Sequence, residues 1–144
     1  MERSRPVIVR CQSCTQLNRV DLNRLSAGPK CAGCLQPLHL DRPLLATTAD
    51  FDRTVQASAV PVVVDFYADW CGPCRMMAPV LDSLAAARAG SVLVLKVDTD
   101  KDPGLSERYG VRGIPTLVVL HHGKEVGRHV GLATRVDLER LIPA

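Results

Sequence analysis

Two cysteines placed where a strand hands over to a helix constrain this chain more than any other feature. The run Val62-Val63-Val64-Asp65-Phe66-Tyr67 is short, β-branched and aromatic with a single charge, as a buried strand would be. Trp70-Cys71-Gly72-Pro73-Cys74 follows almost at once, and Arg75-Met76-Met77-Ala78 continues as helix after a proline suited to the first turn. Cys71 therefore falls at a helix N-terminus. Free N–H groups and the positive end of the helix dipole there favour a thiolate and should bring its pKa below the ~8.5 of a free cysteine. Two intervening residues keep Cys74 within disulfide reach across one turn. Cys71 is thus the candidate attacking thiol and Cys74 the candidate resolving thiol. An isolated Cys-x-x-Cys also fits half a zinc site or an inert bridge. The strand before it, the helix after it and the adjoining Trp70 weigh toward redox chemistry.

Two further pairs, Cys11-Gln12-Ser13-Cys14 and Cys31-Ala32-Gly33-Cys34, lie sixteen residues apart. That spacing reads as a tetrathiolate site for one structural Zn²⁺, each pair gripping the ion from a tight turn and leaving no open position for catalysis. Gly33 and the Gly28-Pro29 break help the chain fold back between them. His39 could in principle replace one ligand. The competing account is two disulfides in one of three pairings, which needs an oxidising compartment. Residues 1–10 hold no apolar core of signal-peptide length, so the expected location is cytoplasmic and zinc the favoured reading. So short a stretch buries too little core to fold alone, and its simplest role is to fold around its metal.

At 144 residues the whole chain is long enough for one good core and a small satellite, giving an expected division into a zinc-binding module at 1–42 and a second domain at 43–144, jointed at Asp41-Arg42-Pro43. With only 3% aromatic residues, the core must rely on Val, Leu and Ala, which suits a compact sheet between helices. Thr47-x-x-Asp50 offers a capping box to a helix carrying Phe51 and Val55. Pro79 should kink the helix after Cys74, and 92–97 reads as the next buried strand. Asp102-Pro103 reads as an N-cap and first turn, with Gly110 closing that helix. Segments 117–120 and 126–130 form a hairpin around His122-Gly123-Lys124, and Thr134-x-x-Asp137 caps a last helix. His121, His122 and His129 receive no role. The net charge of +3 comes from the cysteine-rich module, where seven Lys/Arg stand against three Asp/Glu. These cations are scattered without interleaved aromatics, which argues against a nucleic-acid surface. No apolar stretch approaches membrane-spanning length.

Residues 44–144 resemble the thioredoxin family. The resemblance is carried by Trp70-Cys71-Gly72-Pro73-Cys74, Asp65 in Val-Asp-Phe-Tyr-Ala, Lys96 in Leu-Lys-Val-Asp, the segment Tyr109-Gly110-Val111-Arg112-Gly113-Ile114-Pro115-Thr116, and Gly123 and Gly131. With the N-terminal cysteine pairs, the whole chain is similar to the zinc-containing thioredoxins of the thioredoxin 2 type. The resemblance implies an α/β thioredoxin fold, a central mixed sheet flanked by helices, preceded by a small zinc-ribbon-like domain. It implies that Asp65, a carboxyl in an apolar strand whose pKa burial should raise, deprotonates Cys74, with Lys96 nearby. It also implies that Ile114-Pro115 is cis; X–Pro bonds are cis in only about 5–6% of cases, so the isomer rests on the resemblance alone. Trp70, Gly72, Pro73, Gly113, Ile114, Pro115 and Gly131 would form a shallow docking surface for disulfide-bearing protein segments. One departure is Tyr67, where many members carry a second tryptophan.

These readings converge on a protein-disulfide reductase. Reduced Cys71 attacks a target disulfide, Cys74 releases the product, and by resemblance an NADPH- and flavin-dependent thioredoxin reductase restores the dithiol. Two rivals stay open: a net oxidant or isomerase, whose direction depends on reduction potential, and a binding module acting as a rigid partner subunit or an oxidant-triggered holdase.

Overall fold

A computed structural model describes residues 3–144. Its centre is a five-stranded mixed sheet in the order β3-β5-β4-β6-β7. The members are β3 (Leu44–Leu45), β4 (Val62–Tyr67), β5 (Leu93–Asp98), β6 (Thr116–His121) and β7 (Lys124–Val130), with β3 and β4 parallel to β5 and β6 antiparallel to both β4 and β7. Ahead of the sheet, β1 (Pro6–Arg10) and β2 (Leu17–Asp21) make a separate antiparallel hairpin. Among the described residues there are also a 3-10 helix (Leu22–Ala27) and four α-helices: α1 (Phe51–Ala57), α2 (Gly72–Ala87), α3 (Pro103–Arg108) and α4 (Arg135–Leu141).

Alternation along the central strands sorts the side chains into two cores. Val62, Val64, Phe66, Leu93, Leu95 and Val97 face α1 and α3, meeting Phe51, Val55 and Leu105. Val63, Val94, Leu117 and Val119 face α2 and α4, meeting Met77, Leu81, Leu84 and Leu138. Three of the few aromatic rings join on the first side, where Tyr109 lies 5.7 Å from Phe51 and 5.8 Å from Phe66, centroid to centroid.

The N-terminal module adds to the first core rather than building one apart. Val7, Val9, Val20, Leu22, Leu38 and Leu40 are buried in the same apolar cluster as Leu44, Phe51 and Val55. The cluster thus runs across the expected joint near residue 42. Polar contacts reinforce it: the Ala59 N–H donates to Pro6 O at 3.0 Å, Arg10 pairs with Asp50 at 3.4 Å, and the Arg5 guanidinium donates to Gly90 O at 2.8 Å. Gln12, inside the first cysteine pair, brackets the outer strand β3. Its amide oxygen accepts the Leu45 N–H at 3.0 Å and its amide nitrogen donates to Leu45 O at 3.3 Å. One side chain thereby satisfies the backbone of an edge residue that would otherwise stand open.

Two capping expectations need correction. Thr47 and Asp50 do not form a reciprocal box: the Asp50 carboxylate accepts both the Thr47 N–H (3.0 Å) and its hydroxyl (2.8 Å), while α1 carries no side-chain cap. The carboxylate serves the preceding turn and Arg10 instead. Asp102 does hold the N-cap position of α3, with Pro103 in the first turn, but its side chain makes no capping bond; its Oδ1 accepts from the Thr48 N–H and hydroxyl, tying α3 to the α1 entrance. Elsewhere local chemistry acts as read. Thr134 and Asp137 make a full capping box, Gly110 leaves α3 at φ 64°, and His122 and Gly123 turn the β6–β7 hairpin at φ 53° and 78°. Pro79 sits inside the continuous sixteen-residue α2.

Candidate active site and tetracysteine cluster

The redox pair is built by the end of β4 and the start of α2. Cys71 is the N-cap of α2, with extended backbone (φ −85°, ψ 112°) and a sulfur that accepts the Cys74 N–H at 3.2 Å. The helix start thus aims its free backbone donors at this sulfur, as the sequence predicts. Cys71 and Cys74 are joined as a disulfide, with Cα atoms 5.2 Å apart. Both are buried, 4% and 5% exposed, beside Ala68, Tyr67 and Ile114.

Around the pair lie most of the residues expected from the sequence. The Ile114–Pro115 bond is cis, and Ile114 O lies 3.8 Å from Cys71 Sγ. Gly131, at φ 91°, donates its N–H to Pro115 O at 2.8 Å, a conformation that a side chain there would strain. Gly72, Pro73 and Gly113 are exposed, Pro115 is buried beneath them, and Trp70 is 68% exposed. Trp70 and Ile114 line a cleft of about 190 Å³ with Thr99, Ser106, Val111 and Arg112. The Trp70 indole N–H donates to Asp100 Oδ2 at 3.0 Å, an anchor that sequence patterning missed because it arises only when the loop after β5 folds over the α2 start.

Behind the pair, Asp65 and Lys96 are direct register partners on β4 and β5. Asp65 is 1% exposed and neither carboxylate oxygen has a hydrogen-bond partner. Burial drives its pKa up to about 7, against a smaller opposing pull from the Lys96 charge. Lys96 itself lies over the Tyr67 ring, its Nζ 4.5 Å from the centroid. Sequence reasoning placed Lys96 near Asp65 but gave Tyr67 no contact. The available signal was period two: residues 65 and 67 share one face of β4.

At the other end of the molecule the four remaining cysteines converge, all sulfurs within 4.8 Å of one another. Cys11 and Cys34 lie 3.6 Å apart and Cys14 and Cys31 3.5 Å, far beyond an S–S bond of ~2.05 Å. A tetrahedral shell with Zn–S ~2.3 Å has sulfur–sulfur edges of about 3.8 Å, so this donor set fits one ion. Matching turns build the cluster: Thr15 N–H donates to Cys11 O and Leu35 N–H to Cys31 O, both at 2.9 Å, with φ 71° and 64° at Thr15 and Leu35. Asn18 braces the two halves, accepting the Ala32 N–H at 2.9 Å and donating to Gln16 O at 3.1 Å. Backbone donation, from Cys34 foremost, together with Asn18 lowers the Cys31 thiol to about 6. At Gly33 the chain runs so close to the Gln16 side chain that a Cβ would collide with it. Among the described residues the cluster comprises these four cysteines, and His39 is not part of it.

A cysteine pair at a helix start, the Ile114 carbonyl of a cis Ile114–Pro115 bond facing it and a buried carboxyl behind it define a thiol–disulfide oxidoreductase on an α/β sheet. Comparison with known proteins specifies the family. The family model described as thioredoxin matches residues 42–144, and that described as the N-terminal part of thioredoxin 2 matches residues 10–36. Thioredoxin C-3 of Corynebacterium nephridii is 37% identical over 93% of this chain and 92% of its own length. Thioredoxin 1 of Synechococcus elongatus is 46% identical over 64% of this chain and 86% of its own. Among solved structures, a mutant thioredoxin from Halobacterium salinarum NRC-1 is similar at 40% identity and a TM-score of 0.66, over 73% of this chain and 91% of its own. The chain belongs to the thioredoxin family. Among the described residues, no helix is long and apolar enough to cross a membrane.

Proposed function

We propose that this thioredoxin reduces protein disulfides in the cytoplasm with the following division of labour. The Cys71 thiolate attacks one sulfur of a target disulfide, forming a mixed disulfide and expelling the second target sulfur. Cys74, deprotonated by Asp65, attacks Cys71 Sγ, releases the other target sulfur and leaves the Cys71–Cys74 disulfide; each target sulfur departs as a thiolate and takes its proton from Asp65 or solvent, so two electrons pass to the target. The observation that carries this reading is Cys71 Sγ at the α2 N-cap, accepting the Cys74 N–H. Trp70, Gly72, Pro73, Gly113, Ile114, Pro115 and Gly131 supply the docking rim, and Lys96 adjusts the charge around Asp65. A flavin- and NADPH-dependent thioredoxin reductase returns the dithiol. Insulin reduction coupled to NADPH and such a reductase tests the assignment; no turnover by the wild-type protein would defeat it.

In this reading residues 43–144 form the redox domain and residues 1–42 a zinc-folded module. Cys11, Cys14, Cys31 and Cys34 would hold the ion, which would offset half the charge of the four thiolates and tie them together without entering the redox steps. Four clustered cysteines kept as thiolates suit a reducing compartment.

The Asp65 carboxyl gives a pH test with a defined sign. Its native pKa, about 7, stands above the ~3.9 of an unfolded aspartate, so the native state keeps a proton that the unfolded chain has lost between those values. The resulting stability is fully present below pH ~4 and lost as pH rises through 7. Asp65→Asn removes this term. Between pH 4 and pH 8 the wild type should lose on the order of 4 kcal/mol relative to the variant in urea melts. Parallel pH dependence in the two proteins would refute the raised carboxyl.

A further inference from the structure

Alternation brings Asp65, Tyr67 and Lys96 to the α2 side of the sheet, opposite the face taken by Val64, Phe66, Leu95 and Val97. A lysine directly across from an aspartate on a neighbouring strand has an obvious partner. Here it takes another. Both Asp65 oxygens are without hydrogen bonds, while Lys96 Nζ rests 4.5 Å from the Tyr67 ring centroid. A cation over an aromatic face gains roughly 0.5–2 kcal/mol, more as the site is desolvated. An ammonium drawn in to the buried carboxylate would also give up hydration, a cost that offsets much of the Coulombic gain, so the ring can compete with the carboxylate for it. We infer that Tyr67 is a positioning residue for the reaction, its ring face holding the Lys96 ammonium off Asp65 and leaving that carboxyl unpaired to exchange a proton with Cys74.

The surroundings support this division. Tyr67, Cys74 and Lys96 line one cleft of about 190 Å³, together with Asp69 and Arg75. Arg75 is engaged elsewhere, donating twice to Asp69 O at 3.1 and 2.6 Å. On the other neighbouring strand Asp65 faces Leu117, which carries no charge. Burial first, then the charges of Asp98, Asp69, Asp65 and Asp102, raise the pKa of the Tyr67 phenol and keep it protonated. Lys96 is therefore the cation whose placement decides the state of Asp65, and the ring decides the placement.

The inference rests on the reading of Asp65 as the proton acceptor, and one titration separates the two. The Asp65 carboxyl is followed by ¹³C NMR in oxidised wild type, Tyr67→Phe and Tyr67→Leu, each with Lys96 and with Lys96→Met. The midpoint should lie near 7 in wild type and stay there in Tyr67→Phe, which keeps the ring. In Tyr67→Leu the freed ammonium turns to the carboxylate, and the midpoint should fall by about one pH unit, the acid limb of insulin reduction moving with it. With Lys96→Met, Phe and Leu at position 67 should give the same midpoint. An unchanged midpoint in Tyr67→Leu overturns the inference, as does an equal fall in the Lys96→Met background, which would assign the effect to burial by the ring. A wild-type midpoint near 4 would instead defeat the proton-acceptor reading itself. Should the leucine variant fail to fold, ring-current shifts decide: the Lys96 Hε protons should resonate upfield in wild type, and ordinary lysine shifts would overturn the proposal.

Discussion

Replacing Cys71 with serine should abolish insulin reduction, by roughly a thousandfold or more, because the attacking atom itself is lost. The fold should survive, since Cys71 and Cys74 cluster apart from the two large cores. Cys74→Ser should behave differently. Its Cys71 can still attack, but nothing within the protein resolves the product, so a mixed disulfide with the target should accumulate and be visible on a non-reducing gel. The contrast assigns the roles. If Cys71→Ser trapped the target and Cys74→Ser did not, attack and resolution would be exchanged. If Cys71→Ser retained full turnover, the chemistry would lie elsewhere and a binding role would account for the protein better.

Metal removal should have the second-largest effect. A structural zinc site contributes apparent folding free energy on the order of 10–16 kcal/mol, far more than so small a module can supply from its own core. Chelation under reducing conditions, or Cys31→Ser, should therefore unfold residues 1–42. The damage should not stop there. Val7, Val9, Leu38 and Leu40 share a buried cluster with Phe51 and Val55, and each such side chain is worth about 1.5–3 kcal/mol when fully buried. The melting temperature of the redox domain should fall as well. Gln12 supplies a local reporter: once the first cysteine turn is lost, the Leu45 N–H loses its acceptor and its hydrogen exchange should accelerate. Metal analysis finding no zinc in freshly reduced protein, or Leu45 exchange unmoved by chelation, would contradict this account of the module.

The site was legible in the sequence where local rules govern it. The apolar run 62–67 buried Asp65, the helix start received Cys71, and paired spacing gathered the four N-terminal cysteines, because each depends on a few consecutive residues or a short loop. What stayed hidden depends on distant chain segments meeting. The Trp70–Asp100 bond and the Gln12 bracket on Leu45 join residues that meet only once separate elements pack together, and the Lys96–Tyr67 contact needs the pairing of β4 with β5 besides the period of the strand. The same cause misdirected two caps. Asp50 and Asp102 carry cap-forming side chains, but Arg10 and Thr48 reach them from other elements and tertiary partners prevailed over local ones. The cysteine spacing likewise marked out a module without revealing that its apolar strands would extend the core of the neighbouring domain.

Ultraviolet titration of the reduced protein, with Cys71→Ser and Cys74→Ser as references, tests the central claim most directly. Cys71 should give a thiolate absorbance step well below the ~8.5 of a free cysteine, absent from Cys71→Ser and retained in Cys74→Ser. Two thiols titrating together at or above that value would mean that the start of α2 confers no special acidity, and the proposed attack would lose its physical basis.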